Sequence, residues 1–142
     1  MSNVQAISAV KRLEDEILKA PQVDLETLHC LSGGMYARTI TIKEGTVLTG
    51  ATHKTDHVNI VSGDISVTTD EGVKRFTGYH VLPTKAGSKR AGYAHTDTMW
   101  TTVCKTDLVC IEDIEDELVE ESANLQTRLN AIGHTELKEI GE

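Results

Sequence analysis

The sequence predicts an all-β domain, an antiparallel sandwich or barrel of short strands, with one helix at each end. Between residues 27 and 110 the chain is a succession of short segments rich in β-branched and aromatic residues, divided by Gly, Asp and Pro. Strands that recur about every eight to twelve residues, with turn signals between them, are typical of such folds. No helical pattern interrupts the region, which argues against a parallel α/β sheet.

The predicted strands follow one another closely, and two of the boundaries carry strong turn signals. The segments are MYARTITI, TVLTG, HVNIVSG, ISVTTD, VKRFTG, YHVLP, GYAHTD and MWTTVC. Residues 62–64 (SGD) and 70–72 (DEG) are predicted hairpin turns, because each contains a glycine that can adopt a positive φ.

Residues 3–20, within an N-terminal segment of residues 1–22, have the pattern of an amphipathic helix. One stripe of this helix consists of Ile7, Val10, Leu13 and Ile17. Pro21 ends the helix, because proline cannot donate the next helical hydrogen bond. The apolar stripe has two interpretations: it packs on its own domain, or it is an arm that docks on a partner.

Residues 111–142 are predicted to form an acidic C-terminal helix and a tail. The helical stripe consists of Ile111, Ile114, Leu118, Leu125 and Leu129. The two terminal helices could pair with each other or with those of a second subunit. We therefore expect a homo-oligomer, in the first place a dimer with two-fold symmetry.

The amino-acid composition excludes some classes of function. The chain has 142 residues, 39% hydrophobic and 25% charged, which is ordinary for a folded domain. A formal net charge of −8 argues against nucleic-acid binding, which needs a basic face. Three cysteines without a CxxC pair, no secretory leader and no long apolar run favour a reducing cytoplasmic location (a virion or the host cytoplasm for a phage protein) and no membrane partner.

The stretch THKTDHVNIVSG concentrates residues that bind metals. His53, Asp56 and His57 lie within five residues at the boundary between two predicted strands. Imidazole and carboxylate ligands suit Fe, Mn, Ni, Zn or Cu. Because side chains alternate along a strand, Asp56 shares a face with Val58 and Ile60. We therefore predict that Asp56 faces the interior and that His57 does not, unless a bulge displaces it.

The same stretch resembles the first motif of the cupin superfamily. Residues 45–63 (GTVLTGATHKTDHVNIVSG) place Gly45 and Gly63 at the two motif glycines, with Asp56 at the acidic position. His53 approximately matches the second motif histidine, whereas Ala51 occupies the position of the first. The run HKTDHVNIVSG is particularly similar to the cupin stretch of mannose-6-phosphate isomerases.

A second segment, GYHVLPTKAGSKRAGYAHTDTM, resembles the second cupin motif. It supplies Gly78, Pro83 and His95, but its loop is longer and Met99 occupies the asparagine position. The resemblance covers about residues 35–105. It implies a double-stranded β-helix, or jelly-roll barrel, and a divalent transition metal as cofactor.

In this resemblance the metal ligands are His53, Asp56 or His57, and His95. The ion would be Fe, Mn, Ni, Zn or Cu, and it would act as a Lewis acid. We predict that His53 and His95 meet at the mouth of the barrel.

Other residues are candidates for binding a small polar ligand. The loop at 83–92 is locally basic through Lys85, Lys89 and Arg90, and these cations could hold a carboxylate or phosphate. The alternative is a solvated hairpin loop. Arg38 could enter the barrel as an anion partner or point to solvent, and Tyr93 is a candidate ligand contact and proton donor.

Three further residues have structural or minor roles in this interpretation. Met99 and Trp100 complete the core or a dimer surface, and His80 is a minor pocket candidate.

Three classes of function fit the sequence. The first is a metal-dependent cupin enzyme that acts on a small polar or sugar-like molecule. The second is a metal-free small-molecule binder or epimerase. The third is a structural or assembly module, for example in a virion or another complex. The missing motif histidine and the altered spacing of the second motif strengthen the second and third classes, and no single class is preferred.

Overall fold

The computed structural model describes residues 3–19, 25–108 and 111–119, and these ranges contain two helices and seven strands. The elements are α1 (Asn3–Leu18), β1 (Glu26–Ser32), β2 (Met35–Ile42), β3 (Val47–Thr49), β4 (His57–Thr69), β5 (Gly72–Thr84), β6 (Ala91–Ala94), β7 (Thr98–Lys105) and α2 (Ile111–Leu118). All strand pairs are antiparallel, so the predicted all-β class is confirmed.

The long β4–β5 hairpin organises the sheet. The first half of β4 pairs with β7 over Val58–Ser62, and its second half pairs with β6 over Ile65–Val67. The strand order is β1-β2-β7-β4-β6-β3, with β5 on the other side of β4. We call β1, β2, β7 and the adjoining half of the hairpin the large wall, and β3, β6 and the other half the small wall.

The hairpin also corrects the predicted strand boundaries. Four predicted segments are two continuous strands of 13 residues each, because residues 62–64 lie inside β4 and do not form a turn. The turn at residues 70–72 is confirmed: the Thr69 hydroxyl donates to the carbonyl of Gly72 over 2.6 Å.

A glycine is required at position 63 because two strands approach closely there, not because the chain turns. Its φ is 146°, in a region that favours glycine. A Cβ atom there would lie 2.5 Å from Oγ1 of Thr98 and 2.8 Å from the Cα of that residue. Gly63 therefore lets the start of β7 cross β4 where the hairpin passes from one wall to the other.

The inner surfaces of the two walls form the core. Ile42 and Val61 come from the large wall, and Ile65 and Val67 come from the second half of β4; all are at most 3% exposed. Leu48, Phe76, Leu82 and Trp100 pack against this cluster from its margins.

The inward face of β4 is the opposite of the predicted one. His57, Asn59 and Val61 are buried, whereas Asp56 precedes the strand and is exposed. Val58 is also exposed. The prediction that Asp56 faces the interior is therefore wrong, and regular alternation accounts for the buried His57 without a bulge.

Helix α1 packs on its own domain beside β3. Val10 is buried, with 4% of its surface exposed. The carboxylate of Glu14 accepts hydrogen bonds from the Thr49 hydroxyl over 3.0 Å and from Nζ of Lys89 over 2.9 Å. Leu13 and Leu18 remain 38% exposed, so the apolar stripe is only partly covered. The side chain of Ile7 lies outside the described residues.

Helix α2 closes one end of the barrel. Ile114 and Leu118 are 0% and 3% exposed and pack with Tyr36 and Cys104. Leu125 and Leu129, predicted to continue this helix, lie outside the described residues, as does His134. The division into segments 1–22, 27–110 and 111–142 stays a prediction.

We expect Gly63→Ala to destabilise the protein strongly, because the new methyl group would combine an unfavourable φ with contacts below 3 Å to Thr98. The matched control is Gly78→Ala, since Gly78 pairs with Gly63 and has a φ of 89° but open space around it. Urea unfolding should show a loss of about 3 kcal/mol or more for Gly63→Ala and about 1 kcal/mol for Gly78→Ala. Equal losses would show that the close approach of β7 is not the constraint.

Candidate ligand pocket

A cavity of about 120 Å³, partly open to solvent, lies between the two walls. Its apolar part is formed by Ile40, Ile42, Leu48, Ile65, Val67, Leu118 and Val119. Its polar part is formed by Tyr36, Arg38, His53, His57, Asn59, Thr84, Ser88, Arg90, Trp100, Thr102 and Cys104. Among the described residues that line it, there is no Asp or Glu.

The polar part of the cavity includes a row of side chains that crosses the inner surface of the large wall. Strand register places Arg38 opposite Thr102, and Thr102 opposite Asn59. Residues opposite each other on neighbouring strands share a face. The three side chains therefore lie side by side on the inner surface of β2, β7 and β4.

Asn59 is held by hydrogen bonds through both ends of its amide. Its Oδ1 accepts from Nε1 of Trp100 over 3.2 Å and from the Thr102 hydroxyl over 3.0 Å. Its Nδ2 donates to Oγ1 of Thr84 over 2.8 Å. A buried amide satisfied in this way has a fixed orientation. Asn59 thereby links β4, β5 and β7 beneath the cavity.

Two guanidinium groups line the cavity. Nε of Arg38 is buried and has no hydrogen-bond partner within the described part of the chain. Arg90 is half-buried and donates from Nη2 to Oγ1 of Thr84 over 3.3 Å. Burial lowers the pKa of Arg90, and the charge of Asp70 opposes this effect. Arginine nevertheless stays protonated in proteins, so both groups carry positive charge.

Several cations elsewhere on the barrel are paired with carboxylates, in contrast to these two. Arg75 forms a bidentate pair with Asp64, at 2.8 and 2.7 Å. The buried Nζ of Lys89 lies 2.9 Å from Glu14. Among the side chains that the structure describes, neither Arg38 nor Arg90 has such a carboxylate partner. The cavity therefore concentrates positive charge inside an acidic protein.

The imidazole rings of His53 and His57 lie next to each other in the cavity. The ring centroids of His53 and His57 are 4.1 Å apart, with planes inclined by 31°. Nδ1 of His57 lies 3.0 Å from the carbonyl of Thr55 and donates to it. In the neutral ring, Nε2 is then an acceptor, 3.5 Å from Nδ2 of Asn59.

Burial lowers the pKa of His57 below its ordinary value of 6.5. The hydrogen bond to Thr55 opposes this shift, the charge of Arg90 adds to it, and Asp56 opposes it weakly. At neutral pH the His57 ring is therefore uncharged.

The end of α2 forms part of the cavity wall. His53 and Val119 form an isolated antiparallel bridge, and the Lys54 N–H donates to the carbonyl of Leu118 over 2.6 Å. On its other side, the carbonyl of His53 accepts from the Gly87 N–H over 2.8 Å. His53 is thus held between α2 and the 83–92 loop.

The structure separates the four residues predicted to hold a metal. His53 and His57 line the cavity, but His95 does not. Nε2 of His95 lies 2.7 Å from the hydroxyl of Ser66, on the opposite face of β4 from the buried Ile65 and Val67. The expected meeting of His53 and His95 inside the barrel is not observed.

Asp56 is also outside the cavity. Its carboxylate accepts from the N–H of Ala86 over 2.8 Å and lies 3.8 Å from Nζ of Lys85. It fixes the surface loop that follows β5, which is an ordinary role for an Asp in a turn.

The donors in the cavity do not fit the expected metal centre. Protein sites for transition metals use three or four converging ligands. Throughout the described ranges, no group of three or more His, Cys, Asp and Glu side chains is close enough to hold an ion. The cavity offers two imidazoles and the buried thiol of Cys104, whose pKa burial raises to about 11.

The candidates for ligand binding are divided in the same way. Arg38 and Arg90 line the cavity, whereas Lys85 has 90% of its side chain exposed. Tyr93 is 41% exposed on the outer surface, in edge contact with the ring of His95. Lys89 is engaged with Glu14 of α1.

Several cavity residues escaped the sequence analysis. Asn59 and Thr102 lie in the middle of strands, and Thr84 ends one. The available signal was Asn59, an amide between apolar residues of a strand, which needs buried partners if it faces inward. Trp100 was expected in the core or at a dimer surface, and it lines the cavity. Met99, its neighbour, is 47% exposed on the outside.

Solved structures show the fold. A cupin superfamily protein from Desulfitobacterium hafniense matches 62% of this chain and 83% of its own, with 14% identity and a TM-score of 0.50. KdgF from a Halomonas species matches 63% and 86%, with 11% identity and a TM-score of 0.51. A cupin 2 conserved barrel protein from Leptotrichia buccalis matches 65% of this chain and 45% of its own, with 8% identity and a TM-score of 0.51.

The chain therefore has the cupin jelly-roll fold, as the two sequence motifs implied. At these identities the likeness concerns the fold alone. No family model and no curated protein matches the sequence. The similarity of residues 53–63 to mannose-6-phosphate isomerases stays a resemblance. In the described part of the chain, neither helix is long and apolar enough to cross a membrane.

The depressed pKa of His57 predicts a loss of stability in mild acid. The unfolded chain takes up this proton near the ordinary pKa of 6.5, before the folded protein does. Stability is thus greatest above that value and decreases as the pH falls below it. His57→Gln should reduce the difference between the free energies of unfolding at about pH 7.5 and about pH 5. An unchanged difference, or an NMR titration of His57 above its ordinary pKa, would contradict this.

Proposed function

We propose that the cavity binds a small organic anion, in particular a carboxylate with a short apolar chain, without a metal ion. The observation that carries the proposal is the pair of guanidinium groups, Arg38 and Arg90, in a cavity whose described lining contains no carboxylate. A buried cation without a counterion is costly, and a bound anion removes the cost. This function belongs to the class of metal-free small-molecule binders.

The polar groups are suited to a carboxylate. Guanidinium groups donate charge-assisted hydrogen bonds in a geometry that matches carboxylate oxygens. Nε of Arg38 is a donor that the described protein leaves unused. Arg90 uses Nη2 for a long contact of 3.3 Å with Thr84, so it can turn towards a stronger acceptor at little cost.

The remainder of the cavity sets the size and polarity of the ligand. A water molecule needs about 10–15 Å³ of such a volume, so a cavity of about 120 Å³ holds an organic molecule of several heavy atoms. Ile40, Ile65 and Val67 offer an apolar surface in the same cavity. Neutral His57 adds an imidazole, which can accept a hydrogen bond from a hydroxyl group on the ligand.

Isobutyrate and isobutyramide are matched probes, with nearly the same shape and with or without the charge. Isothermal titration calorimetry should give at least about tenfold tighter binding of isobutyrate, since hydrogen bonds between charged groups contribute about 1.5–3 kcal/mol. Arg38→Met and Arg90→Met should each reduce the preference for the anion. Arg38→Met should keep or raise the thermal midpoint, because it removes a buried donor without a partner.

The matched control is Lys85→Met, which removes a cation from the same loop as Arg90 but outside the cavity. Isobutyrate should bind this variant as it binds the wild type. Equal affinity of the wild type for acid and amide, or an equal loss in the Lys85 variant, would refute the proposal.

The metal-dependent alternative is tested with the same probe. Isobutyrate should bind equally well before and after dialysis against a chelator, because the proposed contacts come from arginine side chains. Metal analysis of protein purified without a histidine tag should give far less than one transition-metal ion per chain. Stoichiometric metal, together with a loss of isobutyrate binding after chelation, would instead support a metal centre.

A further inference from the structure

The two guanidinium groups that line the cavity come from different walls of the barrel. Arg38 lies on β2, in the large wall, whereas Arg90 immediately precedes β6 of the small wall. The carbonyl of Arg90 accepts a hydrogen bond from the N–H of Gly50 over 2.8 Å, which holds this part of the loop against the end of β3. Both arginine side chains line the same cavity. Positive charge therefore enters the cavity from two separate parts of the chain.

A row of polar side chains connects the positions of these two arginines. The register places Arg38 beside Thr102 on β7, and Thr102 beside Asn59 on β4. Asn59 accepts from the Thr102 hydroxyl over 3.0 Å and donates to Oγ1 of Thr84, at the end of β5, over 2.8 Å. Nη2 of Arg90 donates to the same oxygen over 3.3 Å. One arginine therefore stands at each end of this polar row.

The sheet sets the separation between the two ends of the polar row. In the strand order, β7 and β4 lie between β2 and β5. The strands β2 and β5 are therefore three spacings apart, about 14 Å on a flat sheet and less on a curved one. Arg38 belongs to the first of these strands, and Arg90 reaches the last one through Thr84. Like charges repel each other, which opposes convergence of the two guanidinium groups on one point. The arrangement suits two acceptor groups, one at each end.

The charge balance of the cavity favours a ligand with two negative charges. Arginine stays protonated in proteins, so Arg38 and Arg90 both carry positive charge. The described lining contains no carboxylate. A monocarboxylate would neutralise one of these charges, whereas a dicarboxylate would neutralise both and leave neither cation uncompensated.

Asp70 is the acidic residue whose charge acts on Arg90. Burial lowers the pKa of Arg90, and the charge of Asp70 opposes this effect. Asp70 is exposed on the turn between β4 and β5, and the described side chains form no ion pair between it and Arg90. Arg90 therefore remains able to bind a carboxylate of the ligand.

The volume of the cavity limits the length of the ligand. At about 10–15 Å³ for each water-sized position, the volume of about 120 Å³ has room for about eight to twelve such positions. Dicarboxylates with three to five carbon atoms have about seven to nine non-hydrogen atoms, which fits this room. Their methylene groups would contact the apolar lining residues Ile40, Ile65 and Val67.

We propose that the ligand of the cavity is a short dicarboxylate of about three to five carbon atoms, with one carboxylate at Arg38 and the other at Arg90. This inference rests on the anion site proposed above and names the class of its ligand. The overall field of the protein does not account for such a preference, since a net charge of −8 repels a dianion more strongly than a monoanion. The preference comes from the two arginines.

The test compares each dicarboxylate with its own monomethyl ester, which keeps the carbon skeleton but carries one negative charge. The probes are malonate, succinate and glutarate. Isothermal titration calorimetry is done at fixed ionic strength and about pH 7.5, where both carboxyl groups are ionised. At least one diacid should bind at least about tenfold tighter than its ester, because only the diacid makes the second charge-assisted contact.

Arg38→Met and Arg90→Met should each remove most of this preference, because each leaves one cation for two carboxylates. Arg38→Lys should still prefer the diacid, since it keeps the positive charge. Lys85→Met serves as the control: Lys85 lies outside the cavity with 90% of its side chain exposed, so this variant should prefer the diacid as strongly as the wild type. Circular dichroism should show that all four variants are folded.

Equal affinity of all three diacids and their esters would overturn the dicarboxylate proposal. Isobutyrate binding that depends on the arginines would in that case still support the anion site, whereas a lack of isobutyrate binding would overturn both. The dicarboxylate proposal also fails if only one of the two methionine variants loses the preference, because a single arginine would then bind both carboxylates. A preference that survives in both methionine variants would equally contradict it.

Discussion

The continuity of β4 through Gly63 is the constraint on which the rest of the structure depends. One strand of 13 residues belongs to both walls, and the start of β7 crosses it where only a glycine fits. The inward row of this strand therefore serves two purposes. Its first half gives His57 and Asn59 to the cavity, and its second half gives Ile65 and Val67 to the core.

Beside the hydrogen-bond network of Asn59, the cavity contains two positively charged side chains. Asn59 ties three strands together, and its hydrogen bonds are satisfied without a ligand. The partly buried guanidinium groups of Arg38 and Arg90 contribute no comparable network, and Nε of Arg38 is a buried donor without a partner in the described part of the chain. Lys89 shows how the same protein treats a structural cation: it is fully buried, and Glu14 neutralises it. The difference between these two kinds of site supports an anion as the missing partner of the arginines.

The outer face of the large wall explains the wrong strand assignment. Val58 and Ile60 suggested an interior face because they are apolar and alternate correctly. They lie on the outer surface, where the register places Val103 and Thr101 opposite them on β7. One face of an antiparallel sheet can meet water, so apolar residues in such a strand do not by themselves mark its buried face.

The sequence by itself determined the all-β class, the cupin fold, the start of both helices and the turn at 70–72, because periodicity, glycines and motif spacing are local properties. It also identified Arg38, His53 and Arg90 as candidates. Only the tertiary structure decided which face of β4 is buried, since both rows of that strand are apolar enough. It also decided that Lys89 pairs with a helix while Arg90 enters the cavity, and that His95 lies outside. Those outcomes depend on which strands and helices meet across the barrel, and such meetings leave no mark on the local sequence.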